Sequence, residues 1–159
     1  VEDGAVTRVT VDMGCPVNKG KGLAFNKETG EKIVFDKVDI GSSHAVVFLE
    51  EGKELPIAQA AEAIENSMTF LGGVATEVVE VINSHEISML AWETGDGETP
   101  ACATGAAASV AGGNAKGLLE MPVLVHLAGG DLTININEET GHYYITGSAE
   151  NGIEGEIEI

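Results

Sequence analysis

The stretch that decides the fold joins the end of a strand to an alanine-rich helix: Glu93-Thr94-Gly95-Asp96-Gly97-Glu98-Thr99-Pro100-Ala101-Cys102-Ala103-Thr104-Gly105-Ala106-Ala107-Ala108. Two glycines and a proline predict a turn between the two elements. Cys102 stands just before the helix. The first N–H groups of a helix have no intrahelical partner and carry partial positive charge, so this position favours a thiolate and can hold a carboxylate. The stretch predicts a cysteine-centred site for a small anion.

The helix is small or apolar on all sides from Thr104 to about Lys116, which is typical of a buried helix. A second, amphipathic helix is predicted from Ile57 to about Phe70, and residues 18–25 are predicted as a loop. Apolar or alternating segments predict strands at 7–13, 32–35, 45–49, 77–82, 87–93, 123–127, 132–136, 143–146 and 153–159. We therefore expect one α+β domain over residues 1–159, with a mostly antiparallel sheet wrapped round a central small-residue helix.

Composition excludes several classes of function. With 26 acidic and 8 basic residues among 159, the net charge of −18 repels nucleic acid and anionic lipid surfaces. No apolar run is long enough to span a bilayer. Cys15 and Cys102 form neither a disulfide framework nor a metal-binding spacing, so we expect a reduced, cytoplasmic protein without a metal. Because cationic side chains are scarce, backbone amides would have to hold an anionic substrate.

The central stretch resembles the signature of the diaminopimelate epimerase family, a group of cofactor-independent amino-acid racemases and epimerases. The matching residues are Gly95-Asp96-Gly97-Glu98-Thr99 and Ala101-Cys102-Ala103-Thr104-Gly105-Ala106. Further resemblances follow in family order at residues 11–14, 40–46, 127–132, 145–149 and 154–157. Family enzymes have two similar lobes, and this chain resembles the second, C-terminal lobe only. The resemblance implies one lobe of that fold, a small amino-acid substrate and no cofactor.

The resemblance also implies roles for individual residues. Removing an α-carbon proton without a cofactor needs a base on one face, an acid on the other and a stabilised carboxylate. In the family a thiolate and a thiol do this, so Cys102 would be one acid/base, with a low thiol pKa, and His44 would polarise or orient groups beside it. The backbone amides of Ala103, Thr104 and Gly105, with the Thr104 hydroxyl, would bind the substrate carboxylate. Glu93 would bind the ammonium, and Ser42 would also contact the substrate.

Several positions depart from the family pattern. Ser42 and Ser43 replace an asparagine and a proline, Ala75 falls roughly where a second asparagine binds substrate, and Thr94 replaces an arginine. Two functions therefore stay open. One is an epimerase or racemase lobe, independent of pyridoxal phosphate, that acts at the α-carbon of diaminopimelate, in lysine biosynthesis, or of a related amino acid. The alternative is a non-catalytic binding or assembly module that retains an anion pocket.

A two-thiol reaction needs a second cysteine, which this lobe does not supply. Three sources are possible: the chain is an excised lobe, it pairs with a separate first-lobe chain, or it forms a homodimer in which two Cys102 residues face each other across a twofold axis.

Overall fold

The computed structural model describes residues 6–70, 72–150 and Gly155. Within these residues ten strands form one sheet and two helices pack against it. The elements are β1 (Arg8–Asp12), β2 (Val17–Phe25), β3 (Lys32–Asp39), β4 (Ser43–Phe48), α1 (Ile57–Asn66), β5 (Ala75–Asn83), β6 (Glu86–Glu93), β7 (Gly97–Thr99), α2 (Ala103–Ala115), β8 (Val123–Leu127), β9 (Gly130–Ile136) and β10 (Tyr143–Ser148).

The sheet has the strand order β1-β10-β9-β8-β6-β5-β4-β3-β2, and β7 pairs with β6 beside this path. Neighbouring strands are antiparallel except for two parallel pairs, β4 with β5 and β6 with β8. Each parallel pair is joined through a helix, α1 for the first and α2 for the second, as a crossover between parallel strands requires. The predicted α+β class with a mostly antiparallel sheet is confirmed.

Helix α2 is buried against the sheet, as its composition predicts. Ala106, Ala107, Ala108 and Val110 are completely buried, and they pack against residues from both halves of the sheet. Methyl-sized side chains allow strands to approach the helix closely from several directions, which explains why the helix has no polar face. The prediction of a buried central helix is confirmed.

Helix α1 packs on the opposite face of the same sheet. Its apolar residues, among them Ile57 and Ile64, form a separate cluster with Phe35 and Val78. Strand β4 serves both cores because its side chains alternate: Ala45 and Val47 face α1, while Val46 faces α2. His44, on the same parity as Val46, therefore points to the α2 side.

Three sequence predictions need correction. Residues 18–25 are not a loop but belong to β2, an exposed edge strand with a bulge between Asn18 and Lys21. Its lysines and glycines hide the alternation that marks a strand, and Gly22 is required there because a Cβ would clash with the Phe35 ring. Helix α1 ends at Asn66 rather than near residue 70. At its C-terminus the Ser67 hydroxyl donates to the Ile64 carbonyl at 2.6 Å.

The third correction is β7, a short strand within the segment predicted as a turn. The strand predicted at 153–159 and the resemblance at 154–157 fall, apart from Gly155, outside the described residues.

Two turns of the chain share one construction. The Asp12 carboxylate accepts the Gly14 N–H at 2.8 Å, and the Asp39 carboxylate accepts the Gly41 N–H at 3.0 Å. Gly14 and Gly41 have positive φ, +76° and +90°, which explains why glycine stands at this place in both Asp-x-Gly turns. The second turn carries Ser42 to the start of β4. Neither helix in the described ranges has the length and apolar character needed to cross a membrane.

Candidate functional site

Cys102 caps the N-terminus of α2. Its backbone is extended, with φ −139° and ψ 98°, and its Sγ accepts the N–H of Gly105 at 3.3 Å. The Thr104 hydroxyl lies 3.5 Å from the same sulfur. The side chain is 6% exposed. The strand β6, the β7 hairpin and α2 together hold the thiol at the end of a buried helix, as the strand–turn–helix pattern predicts.

A cavity of about 710 Å³ opens over this thiol. Five of the residues expected in the site line it: Ser42, His44, Glu93, Cys102 and Thr104. They come from three places in the chain, the turn before β4, the end of β6 and the first turn of α2. Ala103, which is exposed, and Gly105, which is buried, flank Thr104 in the first turn of α2 but do not line the cavity.

The floor of the site is a chain of three polar side chains. The Ser42 hydroxyl lies 2.9 Å from His44 Nε2, and His44 Nδ1 lies 2.7 Å from Glu77 Oε1. His44 is 1% exposed and Glu77 is completely buried, whereas Ser42 is exposed. A polar connection therefore runs from the solvent-facing turn to a carboxyl group beneath the cavity.

Glu77 is the residue that the sequence analysis missed. It lies on β5, two positions beyond Ala75, the register partner of His44, and so faces the same side of the sheet. The signal was a carboxylate between apolar residues in the part of the strand that is buried on both faces, since such a group is almost never buried without a partner. The partner is His44, 33 residues earlier, and only the parallel pairing of β4 with β5 brings the two together.

Gly105 allows α2 to approach this carboxyl group. A Cβ on residue 105 would collide with Glu77 Oε1 and would lie 3.0 Å from the Cys102 sulfur. The Gly105 N–H is already directed to that sulfur. Because Ala106 N–H pairs with the Cys102 carbonyl at 2.9 Å, the amides of Ala103 and Thr104 are those left to meet an anion at this helix end.

Burial governs the protonation of both acids in the site. Desolvation raises the pKa of the Cys102 thiol and outweighs its hydrogen bonds from Thr104 and Gly105, while the charges of Glu77 and Glu93 raise that pKa further. The expectation of a low thiol pKa is therefore wrong for Cys102 in this chain. Desolvation also raises the pKa of Glu77, and the contact with His44 offsets this only in part.

His44, Glu77 and Cys102 are also close enough to share a metal ion, with their ligand atoms within 4.8 Å of one another. Spacing along the sequence does not predict this set, because the residues come from three separate elements. His44 Nδ1 and Glu77 Oε1 are engaged in the 2.7 Å hydrogen bond with each other.

The residues that depart from the family pattern also surround the cavity. Ala75 and Thr94 line it beside Ser42. The Thr94 hydroxyl lies 2.9 Å from both the Glu65 carboxylate and the Val74 carbonyl, so it holds the cavity wall together. Among the described lining residues there is neither lysine nor arginine, and Glu93 is the one acidic residue. Such a lining suits an ammonium group, and leaves a carboxylate to backbone amides.

Comparisons with known proteins agree with the fold and identify the family. The sequence model described as diaminopimelate epimerase matches residues 37–151. A diaminopimelate epimerase from Desulforapulum autotrophicum is 35% identical over 97% of this chain and 58% of its own length. One from Methanococcus maripaludis is 36% identical over all of this chain and 61% of its own length. The chain thus spans about three fifths of the length of these relatives.

A solved structure extends the likeness to the fold. A hydroxyproline epimerase from Agrobacterium vitis, crystallised with trans-4-hydroxy-L-proline, superposes with a TM-score of 0.65 at 17% identity, over 93% of this chain and 51% of that one. The family match covers more than two thirds of the sequence and includes Ser42, His44, Glu93 and Cys102 with the strands and helix that carry them. The chain belongs to the diaminopimelate epimerase family.

Proposed function

We propose that this chain is one lobe of an epimerase or racemase that acts at the α-carbon of an amino acid, with the Cys102 thiol as one of two acid/base groups. The observation that carries the proposal is the position of Cys102, at the N-terminus of a buried helix and on the wall of a cavity that His44 and Glu93 also line. The family membership supports the reaction class.

The substrate's charged groups have matching partners in the cavity lining and in the adjoining first turn of α2. The carboxylate would bind the N–H groups of Ala103 and Thr104 and the Thr104 hydroxyl, at the positive end of the α2 dipole. Glu93 would meet the ammonium. The Gly105 N–H would stabilise the sulfur as its charge develops rather than bind the substrate, because it already donates to Sγ.

The second acid/base must come from outside this cluster. Reacting atoms approach to about 3–3.5 Å, so bases on opposite faces of one α-carbon lie roughly 6 Å or more apart. His44, Glu77 and Cys102 lie within 4.8 Å of one another and so occupy one side of the substrate. The opposite base would belong to a first lobe, in the same or a separate chain, or to the Cys102 of a second copy across a twofold axis.

Diaminopimelate is the first substrate to test, because the curated relatives carry its name. The departures at Ser42, Ala75 and Thr94 favour a related amino acid as the second choice. We propose catalysis without pyridoxal phosphate, because the two-thiol acid/base reaction proposed here removes and returns the α-proton with side chains alone.

A non-catalytic binding module is the competing function. The observation that favours it is Thr94, whose hydroxyl is committed to the cavity wall instead of to a ligand. Such a module would use the same amides to bind a carboxylate and would leave the α-proton in place.

Solvent deuterium exchange distinguishes the two functions. The chain is incubated in D2O with diaminopimelate and a panel of other amino acids, alone over a range of concentrations and then with the first lobe of a relative. The proposal expects deuterium at the α-carbon of at least one amino acid, with a rate that rises when the partner is added. Binding of an amino acid without exchange under any of these conditions would leave only the binding module.

A further inference from the structure

Glu77 has no part in substrate binding as proposed above, yet the protein buries it completely. One carboxyl oxygen is bonded to His44, and the other, Oε2, has no hydrogen-bond partner in the described structure. A buried carboxyl group with an unpaired oxygen is costly to a fold. Because Glu77 lies within 4.8 Å of the Cys102 sulfur, its role is to be sought in the chemistry of that thiol.

The geometry brings the carboxyl group of Glu77 to within 4.8 Å of the Cys102 sulfur. Gly105 contacts both groups. A Cβ on this residue would collide with Glu77 Oε1 and would lie 3.0 Å from the Cys102 sulfur. Cys102, Glu77 and His44 each place a sulfur, oxygen or nitrogen atom within 4.8 Å of those of the other two. The charged or titratable groups that face the thiol are Glu77 from β5, His44 from β4 and Glu93 from β6.

We propose that Glu77 is a positioning residue for the proton of Cys102: its carboxylate accepts the thiol proton when the sulfur must become a base, and returns it when the sulfur must become an acid. In the forward step the S–H bond breaks, an O–H bond forms on the carboxyl group, and the negative charge passes from carboxylate to sulfur. The net charge of the buried site does not change, so no ion has to enter or leave a medium of low dielectric.

The rest of the polar chain connects this shared proton to solvent. Glu77 contacts His44 Nδ1, and His44 Nε2 contacts the exposed Ser42 hydroxyl at the cavity mouth. An imidazole that gains a proton at one nitrogen and loses it from the other can pass a proton along such a chain. The pair can thus be reset between turnovers without opening the buried site.

The inference rests on the proposed function for its purpose, but the proton sharing can be measured without any substrate. The experiment is the pH dependence of iodoacetamide alkylation at Cys102, followed by peptide mass spectrometry, with the exposed Cys15 as an internal reference for the reagent. In the native protein we expect a high midpoint for Cys102. In E77Q we expect the midpoint to fall by about one pH unit or more, because the neutral amide removes the like charge that opposes the thiolate.

Matched variants separate this from a structural effect. E80Q changes an exposed carboxylate on the same strand and should leave the midpoint unchanged. E77D keeps the charge and should hold the midpoint closer to the native value than E77Q does. If E77Q does not fold, E77D carries the test: its shorter carboxylate should still shift the midpoint from the native value and slow α-deuterium exchange, and native values for both would contradict the proposal.

An unchanged midpoint in folded E77Q would overturn the inference, since Glu77 would then not exchange charge with the thiol. That result would leave the proposed function standing, because α-deuterium exchange tests it independently. Where exchange is measurable, E77Q should slow it at least about tenfold at saturating substrate although its thiol ionises more readily. Equal exchange rates in E77Q and the native protein would also overturn the inference.

Discussion

The carboxyl group of Glu77 occupies the space in which a Cβ at Gly105 would stand. This one relationship joins strand β5 to the first turn of α2 and brings an acid under the thiol of Cys102. It makes glycine a packing requirement at this position, although alanine is the better helix former elsewhere.

Gly105→Ala should therefore destabilise the protein. We expect a loss of about 1–3 kcal/mol in the free energy of unfolding, from displacement of the buried Glu77 and Cys102 side chains, in spite of the better helix propensity of alanine. Urea unfolding followed by circular dichroism measures it. Gly112→Ala is the matched control, because its Cβ would make ordinary contacts with Phe48 at 3.4 and 3.6 Å, and it should be neutral or stabilising. Equal effects of the two changes would contradict the packing argument.

Removing the charge of Glu77 should change how stability depends on pH. Burial raises the pKa of Glu77 above its ordinary value of 4.5, so the folded state binds more protons than the unfolded state between those two pKa values. Stability of the native protein therefore falls as pH rises through this window, and E77Q lacks that fall. We expect the stability of E77Q relative to the native protein to increase from pH 4 to pH 8, measured by urea unfolding. Parallel curves for the two proteins would show that Glu77 does not titrate differently on folding.

His126 should also make stability depend on pH, but through neighbouring charges instead of burial. Its two ring nitrogens lie 2.8 Å from the carboxylates of Glu86 and Asp131, which raise its pKa above 6.5. The contribution to stability is present below about pH 6.5 and is lost as pH rises through the folded-state pKa. His126→Gln should be destabilising at pH 5.5 and close to neutral at pH 9. A loss that is the same at both pH values would point to packing instead of charge.

Lys116 ties the end of α2 to strand β3 through a buried acid. Its ammonium group pairs with Asp36, which is 4% exposed, and lies 5.2 Å from the centre of the Phe48 ring. Lys116→Met should cost about 2 kcal/mol, below the full value for a buried pair because the lysine is one third exposed. In Asp36→Asn with Lys116→Met most of that cost should be recovered. Additive losses in this double-mutant cycle would mean that the two side chains are not coupled.

The thiol of Cys102 should be required for α-proton exchange. Because a hydroxyl is a far weaker acid than a thiol, Cys102→Ser should reduce the exchange rate at least about a hundredfold while retaining amino-acid binding. Cys15→Ser serves as the control, since Cys15 is exposed and its sulfur donates to the Thr140 carbonyl at 3.4 Å, away from the cavity lining. Exchange that survives in the Cys102 variant and fails in the Cys15 variant would reverse the proposed roles.

Much of this site follows from local sequence. A helix without a polar face must be buried, and a cysteine in front of it must cap an N-terminus, so α2 and Cys102 were predictable. The paired Asp-x-Gly turns and the strand that ends at Glu93 were predictable for similar reasons, since each depends on backbone chemistry within a few residues.

Other features were out of reach because they depend on distant partners. Strand β2 has no clear alternation, and it is recognised only by its pairing with β3. The raised pKa of Cys102 results from burial by the whole fold, which outweighs the local effect of the helix end that favours a thiolate. Local reasoning found the sulfur and assigned the wrong direction to its pKa.

The sequence by itself determined the class of fold, the family, the buried helix and the cysteine at its start. Those features follow from hydrophobic periodicity, turn residues and the cysteine motif, all of which depend on residues close together in the sequence. Only the tertiary structure decided that Glu77 and His44 meet beneath that cysteine, because the parallel pairing of β4 with β5 joins residues 33 positions apart. A buried charge must find its partner in space, and the chain brings that partner only when the sheet has formed.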